Sequence, residues 1–572
     1  MVSLKRAAKL IQEGKIVAFP TETAYGLAVK AFDGEAAKKL YTLKGREPKK
    51  KVPILINSIE QLKGHAYLSN LGKYLSERLH PGPLNITLNS HHPWVGAFRI
   101  SSSKTASKLV ELSGPITATS ANLAGKPTAF RSKDISLKVP VIESEKPLKK
   151  GLVSTVYDPI KLAVIRKGAL PLNVIKRHVV AYHALQKVKP DKRHENRVVR
   201  IANKALAKIR KVHQDAVLGG SVAKKTFTNG YNDIDIFVLF DKGEDLEAKL
   251  PYLKKLASFG TKIRTDYAQH PYVKTDFLGF TVEIVPAYKT KPPEVLSAAD
   301  RSRWHVKYVK DYTESEKDEV RIIKQFMKGI GVYGADSRVE GFSAYSMEVM
   351  AKKFGGFEKT LEWLIKQKHP LRLSDPVDKK RNILASLSRE SFETTRAAAE
   401  AYLKEPSENF FFPPDISPLK HIPPRNMALI EFPRPDLVED AVWGNLRSKM
   451  KKLVKNAKRH GFDIIRWSIM VEGGVYGAVK YAKGKELIMK GPPKSKKADV
   501  KKFKEKNNWF EEKGKLFSRK KVKYKCLKDY VNSFEEAQVF TGKAFENKYK
   551  KLLKGEKVWL RNFFENKQSW QY

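Results

Sequence analysis

Apolar positions change their spacing along the chain, and the changes mark its elements. Leu4–Glu13 carries a helical stripe (Leu4, Ala8, Ile11), Ile16–Phe19 reads as a strand, Gly34–Thr42 as a helix and Val52–Ile56 as a strand. Such alternation implies an α/β sheet whose loops gather at one edge. Pro171–His194 mixes basic and apolar residues without a clear period and is expected to be a linker, helical in part over Val179–Lys187. A helix is predicted over Glu195–Val212, where Val198, Ile201, Ala205 and Ile209 share one face. Ala216–Phe240 then reads as a short apolar strand, a Gly-Gly-Ser turn, one helical turn, a polar loop and a second strand; Gly279–Pro286 gives another strand. Thr313-x-x-Glu316 has the form of a capping box and opens a helix with an apolar stripe at Val320, Ile323 and Met327. Beyond a Pro-rich boundary at Phe410–Pro414, Ala428–Phe432, Trp443–Arg459, Phe462–Met470 and Tyr476–Tyr481 read strand, helix, strand, strand. The expected fold class is multidomain α/β and α+β.

A chain of 572 residues exceeds one ordinary core, and about three to five domains are expected. The formal charge of +49 points to a polyanionic partner. Cys526 stands alone, which excludes a disulfide framework and a cysteine-built zinc site and suits a reducing cytoplasm. The amphipathic start does not read as a signal peptide, and no apolar run reaches membrane-spanning length. The Asn85-Ile86-Thr87 sequon then has no glycosylation meaning.

The densest chemistry lies in Ala216–Phe240. Asp233 and Asp235, two apart on a strand, project to one face while Ile234 and Ile236 point to the other. Paired carboxylates at the start of an apolar strand call for a cation. Hard oxygen ligation suits magnesium, which takes one or two carboxylates plus substrate phosphates. Gly219 and Gly220 permit close backbone approach. The amides after Ser221, and its hydroxyl, can hold phosphate at a helix N-terminus. A hairpin with a solvated aspartate pair is the plain alternative. Gly329-Ile-Gly331-Val-Tyr-Gly334 spells G-x-G-x-x-G, but it follows a helix rather than a strand and is no dinucleotide fingerprint.

On these residues the stretch resembles the nucleotidyltransferase superfamily of DNA polymerase beta, poly(A) polymerases and CCA-adding enzymes. That resemblance implies a third carboxylate on a neighbouring strand, and Glu283 in GFTVEIVP fits. It also implies two magnesium ions held by Asp233, Asp235 and Glu283, one activating the attacking hydroxyl and one steadying the leaving pyrophosphate. A more specific likeness runs from roughly residue 195 to the end. Ser297-Ala-Ala-Asp300-Arg301, His305, Arg321-Ile-Ile-Lys324, Tyr333-Gly-Ala, Gly341-Phe-Ser-Ala-Tyr345 and Asp375-Pro-Val-Asp378-Lys-Lys-Arg381-Asn resemble the archaeal-type, class I CCA-adding enzymes. By this likeness His305, Lys324 and Tyr333 bind the triphosphate and sugar of a nucleotide seated at Gly220 and Ser221, and Arg381 reads the base edge with its donor fork. Lys224 stands where the family often has arginine, keeping the charge without the bidentate geometry.

Loops of the first domain carry Pro20-Thr21-Glu22-Thr23-Ala24-Tyr25-Gly26-Leu27, Lys44-Gly45-Arg46 and Thr119-Ser120-Ala121-Asn122. Two cations one residue apart, joined by small hydroxyl and amide groups, suit a triphosphate and a small amino acid. Together, in this order, these loops resemble the YrdC family of threonylcarbamoyl-AMP synthases. Further agreement comes at Pro81-Gly82-Pro83, Arg99, Gly114-Pro115, Ser154-Thr155-Val156 and Arg166-Lys167-Gly168. The resemblance implies a twisted α/β sheet that condenses threonine, bicarbonate and ATP to threonylcarbamoyl-AMP, the donor for a modification of adenosine in tRNA. Lys44, Arg46, Ser120 and Asn122 would hold the nucleotide and carbamoyl intermediate, Thr21 would lie near threonine, and Ser154 belongs to the same site. His80 and Asn85 depart from the Trp and Thr usual around the family's Pro-Gly-Pro.

The expected organisation is a YrdC-like domain over 1–170, a linker over 171–194, a polymerase-beta-like head over 195–300, a helical nucleotide- and primer-binding region over 301–410, and a basic α/β tRNA-binding body and tail over 411–572. In that tail Lys494–Lys506 and Arg519–Lys525 interleave cations with Phe503, Trp509, Phe510, Phe517 and Tyr524, as an RNA surface does. Arg447–Lys458 places further cations on a helix. The implied partners are tRNA, CTP and ATP, with threonine and bicarbonate at the first domain, and no membrane. Two other readings share these residues: a poly(A) polymerase-like transferase, and an RNA-binding scaffold with a degenerate YrdC domain.

Overall fold

A computed structural model describes residues 1–145, 148, 153–230, 233–267, 270–414, 426–471, 474–483, 486–521, 523–533, 536–541, 543–545, 547–548 and 569–571. Two compact units result, Met1–Gln186 with Ala401–Ser407, and Lys187–Glu400 with Glu408–Tyr572. No helix among the described residues is long and apolar enough to cross a membrane.

The first unit is built on a six-stranded sheet ordered Ala163–Arg166, Thr155–Asp158, Leu84–Thr87, Val95–Arg99, Val52–Leu55, Ile116–Thr117. A three-stranded sheet of Val17–Pro20, Tyr25–Ala28 and Thr119–Ser120 stands with it. Ser3 caps the helix Leu4–Gln12, whose Ala7, Ala8, Leu10 and Ile11 pack with Val17, Phe19 and Leu109. The helix Gly34–Lys44 starts on the Asp33 cap and ends at Gly45, whose φ of 60° is left-handed. That turn delivers Lys44 and Arg46 together at a helix C-terminus.

The stretch read as a linker, helical in part over Val179–Lys187, is helical over Leu172–Val188, and the helix expected over Glu195–Val212 runs over Lys192–Arg210. Ile175, Val180, Ala181, Ala184, Leu185 and Val188 are buried. Their spacing is a helical stripe that the lysines and histidines between them obscure.

In the second unit a five-stranded sheet is ordered Ala216–Leu218, Asp233–Phe240, Phe280–Tyr288, Pro271–Phe277, Thr261–Tyr267. Val198, Ile201, Ala205 and Ile209 of the preceding helix cover one face and pack on Ile234, Ile236, Val238, Val282 and Ile284. The two-residue period of the strands therefore turns Asp233, Asp235 and Glu283 to the other face. The helix Glu314–Gly329 opens on the expected box: Thr313 N donates to Glu316 Oε2 at 2.7 Å, and Glu316 N to Thr313 Oγ1 at 3.2 Å. Its Val320, Ile323 and Met327 are fully buried, and Phe326 meets Phe357, Phe410 and Phe411. The first part of the Pro-rich boundary is thus core, while 415–425 lie outside the described residues.

Toward the C-terminus, Glu439–Ala457 packs on an antiparallel sheet ordered Phe462–Met470, Val475–Lys483, Met427–Phe432, Gln538–Thr541. A further sheet of Glu486–Lys490, Lys515–Lys521 and Asn508–Glu512 carries the basic, aromatic runs. There Lys504 Nζ lies 4.0 Å above the Trp509 ring and the Arg519 guanidinium 5.0 Å from Phe510. Val522, within one basic run, and 549–568 of the expected tail lie outside the described residues.

Candidate active sites

The Gly-Gly-Ser turn takes its shape from the strand behind it. Gly219 N donates to Asp235 O at 2.9 Å. A Cβ on Gly220, whose φ is +58°, would lie 1.7 Å from Asp235 Oδ2, and one on Gly219 2.1 Å from Phe237 Cε2. Glycine at both positions is what lets the turn close on the aspartate strand. The chain then enters the helix Gly220–Lys224, where Ser221 Oγ is buried with no hydrogen-bond partner among the described residues. A buried hydroxyl left so is available to a ligand's phosphate oxygen.

Asp235 and Glu283 stand opposite each other on adjacent parallel strands, with Asp233 opposite Thr281. The Asp235 carboxyl is pushed up to about 6 by burial and by the charges of Glu283 and Asp233, against the pull of Lys224. Burial also raises Glu283, and Lys274 opposes it. Lys274 Nζ reaches Glu283 Oε1 at 3.0 Å and Asp266 Oδ2 at 2.9 Å. The acids expected from the sequence therefore share a neighbourhood, but Glu283 is tied to Lys274 rather than closed on the aspartates. Among the described residues no three acidic, histidine or cysteine side chains converge closely enough to cage an ion as they stand. As donors the three carboxylates fit a hard divalent cation, whose positive charge relieves the crowding that raises Asp235 and Glu283.

Lys224 and Lys324, both assigned to the nucleotide, meet on an acid that the sequence reading did not single out. Glu348 Oε2 lies 2.7 Å from Lys224 Nζ, and its Oε1 lies 3.2 Å from Lys324 Nζ and accepts from Thr226 Oγ1 at 2.7 Å. Glu348 is 0% exposed. Burial alone would raise its carboxyl, but Lys224 and Lys324 hold it down to about 2. Burial lowers Lys324 to about 8 despite Glu348. Tyr333 stands among both sets of acids: burial, Glu348, Asp235 and Asp233 push its hydroxyl up to about 12. His305 and Arg381 gather on Asp375, at 3.4 and 3.0 Å, where Tyr345 OH also donates at 2.9 Å. The His305 ring stacks on Tyr345, and Lys224 Nζ lies 5.7 Å from that same tyrosine ring, so the two clusters adjoin. Asp300 is a clasp: it accepts from Tyr288 N at the end of the Glu283 strand and from Ser297 N and Oγ.

In the first unit Lys44, Ser120 and Asn122 do come together. Lys44 Nζ donates to the backbone oxygens of Ser120 and Asn122, both at 2.5 Å, and lies 3.3 Å from Ser120 Oγ and Asn122 Oδ1. Burial and Arg46 lower this ammonium to about 8. Arg46 is spread over the carbonyls of Lys50 and Lys51 at 2.8 and 2.9 Å. Thr21 is buried and donates to Ala24 O at 2.8 Å, beside Thr23, which accepts from Arg99 at 3.3 Å. Ser154 Oγ accepts from Asn85 Nδ2 at 2.6 Å and from Arg166 Nη2 at 3.1 Å. The departure at Asn85 is therefore used to hold Ser154. His80 bridges Ser76 Oγ and Leu84 O at 2.9 and 2.8 Å, and burial lowers it to about 4. It is a neutral packing group.

Residues 9–168 match the Sua5/YciO/YrdC family described as "Telomere recombination". Residues 199–305 match "Nucleotidyltransferase domain", 318–412 "tRNA nucleotidyltransferase, second domain" and 425–554 "CCA-adding enzyme, C-terminal domain". The CCA-adding enzyme of Saccharolobus solfataricus is 30% identical over 436 residues, 67% of this chain and 100% of its own length. That of Sulfolobus acidocaldarius is 35% identical over 301 residues, 49% of this chain and 72% of its own. Among solved structures, P. abyssi Sua5 complexed with L-threonine is 23% identical, with a TM-score of 0.29 over 50% of this chain and 89% of that one.

Proposed function

The chain belongs to the CCA-adding enzyme family, and on that premise we propose a tRNA enzyme with two activities. The part from about residue 195 onward would add cytidine, cytidine and adenosine to a tRNA 3′ end from CTP and ATP, without a nucleic-acid template. The part before about residue 170 would condense threonine, bicarbonate and ATP to threonylcarbamoyl-AMP. The first reading is carried by the register of Asp235 against Glu283, beside a turn that closes on Asp235 only because Gly220 lacks a Cβ.

In the transfer step the tRNA's terminal hydroxyl oxygen forms a bond to the α-phosphorus as the bond from that phosphorus to pyrophosphate breaks. Asp233, Asp235 and Glu283 would hold the divalent ions, magnesium in this reading, whose charge activates the hydroxyl and steadies the leaving group. The rest is positioning and electrostatics from the chain's own groups. Ser221 Oγ and the turn's amides would donate to the phosphates, Lys224 and Lys324 would supply positive charge, Tyr333 and His305 would line the triphosphate and sugar, and Arg381 would read the base. In the first unit Lys44, Arg46, Ser120 and Asn122 would bind the nucleotide and the carbamoyl intermediate, Thr21 the threonine, and Ser154 would complete that site. The meeting of Lys44, Ser120 and Asn122 supports this assignment.

Pyrophosphate release tests both halves, once with a tRNA lacking its CCA plus CTP, once with threonine, bicarbonate and ATP. Release in both is expected. Elongation that uses ATP but not CTP would replace the reading with a poly(A)-type transferase, and silence in both would leave an RNA-binding scaffold.

A further inference from the structure

We propose that Glu348 is the positioning residue of the nucleotide site: its single carboxylate fixes Lys224 and Lys324 in the places from which they meet the triphosphate. This rests on the transferase reading above and deepens it. Three elements converge on that carboxylate. Lys224 ends the short helix that begins in the Gly-Gly-Ser turn, Lys324 lies within Glu314–Gly329, and Glu348 lies within Ala344–Phe354. The two ammoniums approach different oxygens at 2.7 and 3.2 Å, and Lys324 also donates to Thr226 O and Oγ1 at 3.1 and 3.0 Å.

The same helix face grips the chain between turn and aspartates. Arg321 Nε donates to Phe227 O at 3.1 Å and its Nη2 to Lys225 O at 2.6 Å, while Nη1 is paired with Asp318 at 2.7 Å. Glu348 is thus the acidic centre of a clasp on the segment leading out of the phosphate turn.

Charge and entropy together favour a functional role over a merely structural one. Two lysines against one carboxylate leave a surplus positive charge beside the acids, and Lys224 already acts on Asp235. A buried ion pair is a weak source of stability compared with apolar packing. Lysine has among the largest side-chain entropies to lose on being fixed, and a site whose side chains are already ordered binds more tightly. Glu348 orders both lysines before the nucleotide arrives.

The test separates nucleotide binding from everything else. Glu348→Gln, nearly equal in size, is expected to raise KM for CTP and ATP about tenfold while kcat and KM for tRNA change less than about twofold. Glu348→Asp should recover part of the loss. Adding Glu348→Gln to the double variant Lys224→Met, Lys324→Met should cost little more than that double variant alone, because the three act as one unit. A lower melting temperature with both nucleotide KM values unchanged overturns the proposal and leaves Glu348 a structural ion pair. Should Glu348→Gln not fold, Thr226→Val removes only the bridging hydroxyl. An approximately threefold rise in nucleotide KM is then expected, and no rise overturns the proposal. Wild-type protein inert toward tRNA and CTP removes the transferase reading and this inference with it; active wild type with unmoved nucleotide KM in the variants removes the inference alone.

Discussion

Asp235 sits where burial, Glu283 and Asp233 push its titration up to about 6 from 3.8. Its folded value lies above its unfolded one, so its contribution to stability is whole below about pH 4 and is lost as pH rises through 6. In ion-free protein Asp235→Asn should therefore gain on the order of 3 kcal/mol at pH 8, with the gain vanishing below about pH 4. Urea unfolding at the two pH values measures this. The same substitution should abolish nucleotide addition and leave threonylcarbamoyl-AMP synthesis untouched. Gly220→Ala meets the same carboxylate from the other side, since its Cβ would fall 1.7 Å from Asp235 Oδ2 at a φ of +58°. Misplacing the turn by that much should cost addition about a hundredfold, read as the rate of CTP incorporation, with the first unit's activity unchanged.

Among the elements, the helix Glu314–Gly329 shows how local chemistry sets a site. Its capping box fixes where the helix begins and hence where Arg321 and Lys324 face. Thr313→Ala removes the bond from Glu316 N to Thr313 Oγ1 and should lower stability by about 1 kcal/mol in urea unfolding. This helix was legible in the sequence because cap and stripe lie within one segment, and so were the aspartate strand and its glycine turn. Of the helix Leu172–Val188 only Val179–Lys187 was read as helical, because basic residues hide the stripe in the rest. The strand Thr261–Tyr267 was not read, although Thr261, Ile263, Thr265 and Tyr267 alternate with Lys262, Arg264 and Asp266; every residue in it is exposed, so the alternation marks no buried face. Glu348 escaped for another reason. Its partner Lys224 is 124 positions away, and nothing local marks a lone glutamate on a helix as the acid that two distant lysines share. Lys274 on Glu283 is likewise a product of strand pairing.

At the scale of the whole molecule, each candidate site draws its residues from one of two units. Lys44→Ala should accordingly abolish threonylcarbamoyl-AMP formation and leave the rate of CTP incorporation within about twofold. The charge of +49 and the paired cations and aromatics Lys504–Trp509 and Arg519–Phe510 would make, on the proposed function, a surface for a phosphate backbone. Its affinity for tRNA should fall with salt, log K dropping by roughly 0.7 to 0.9 per neutralised phosphate against log salt concentration. The most direct measurement is the sequence of the 3′ ends of a tRNA lacking its CCA, after incubation with the protein, magnesium, CTP and ATP. Ends that finish in CCA and grow no further are expected; ends left unchanged, or extended by runs of adenosine, would contradict CCA addition.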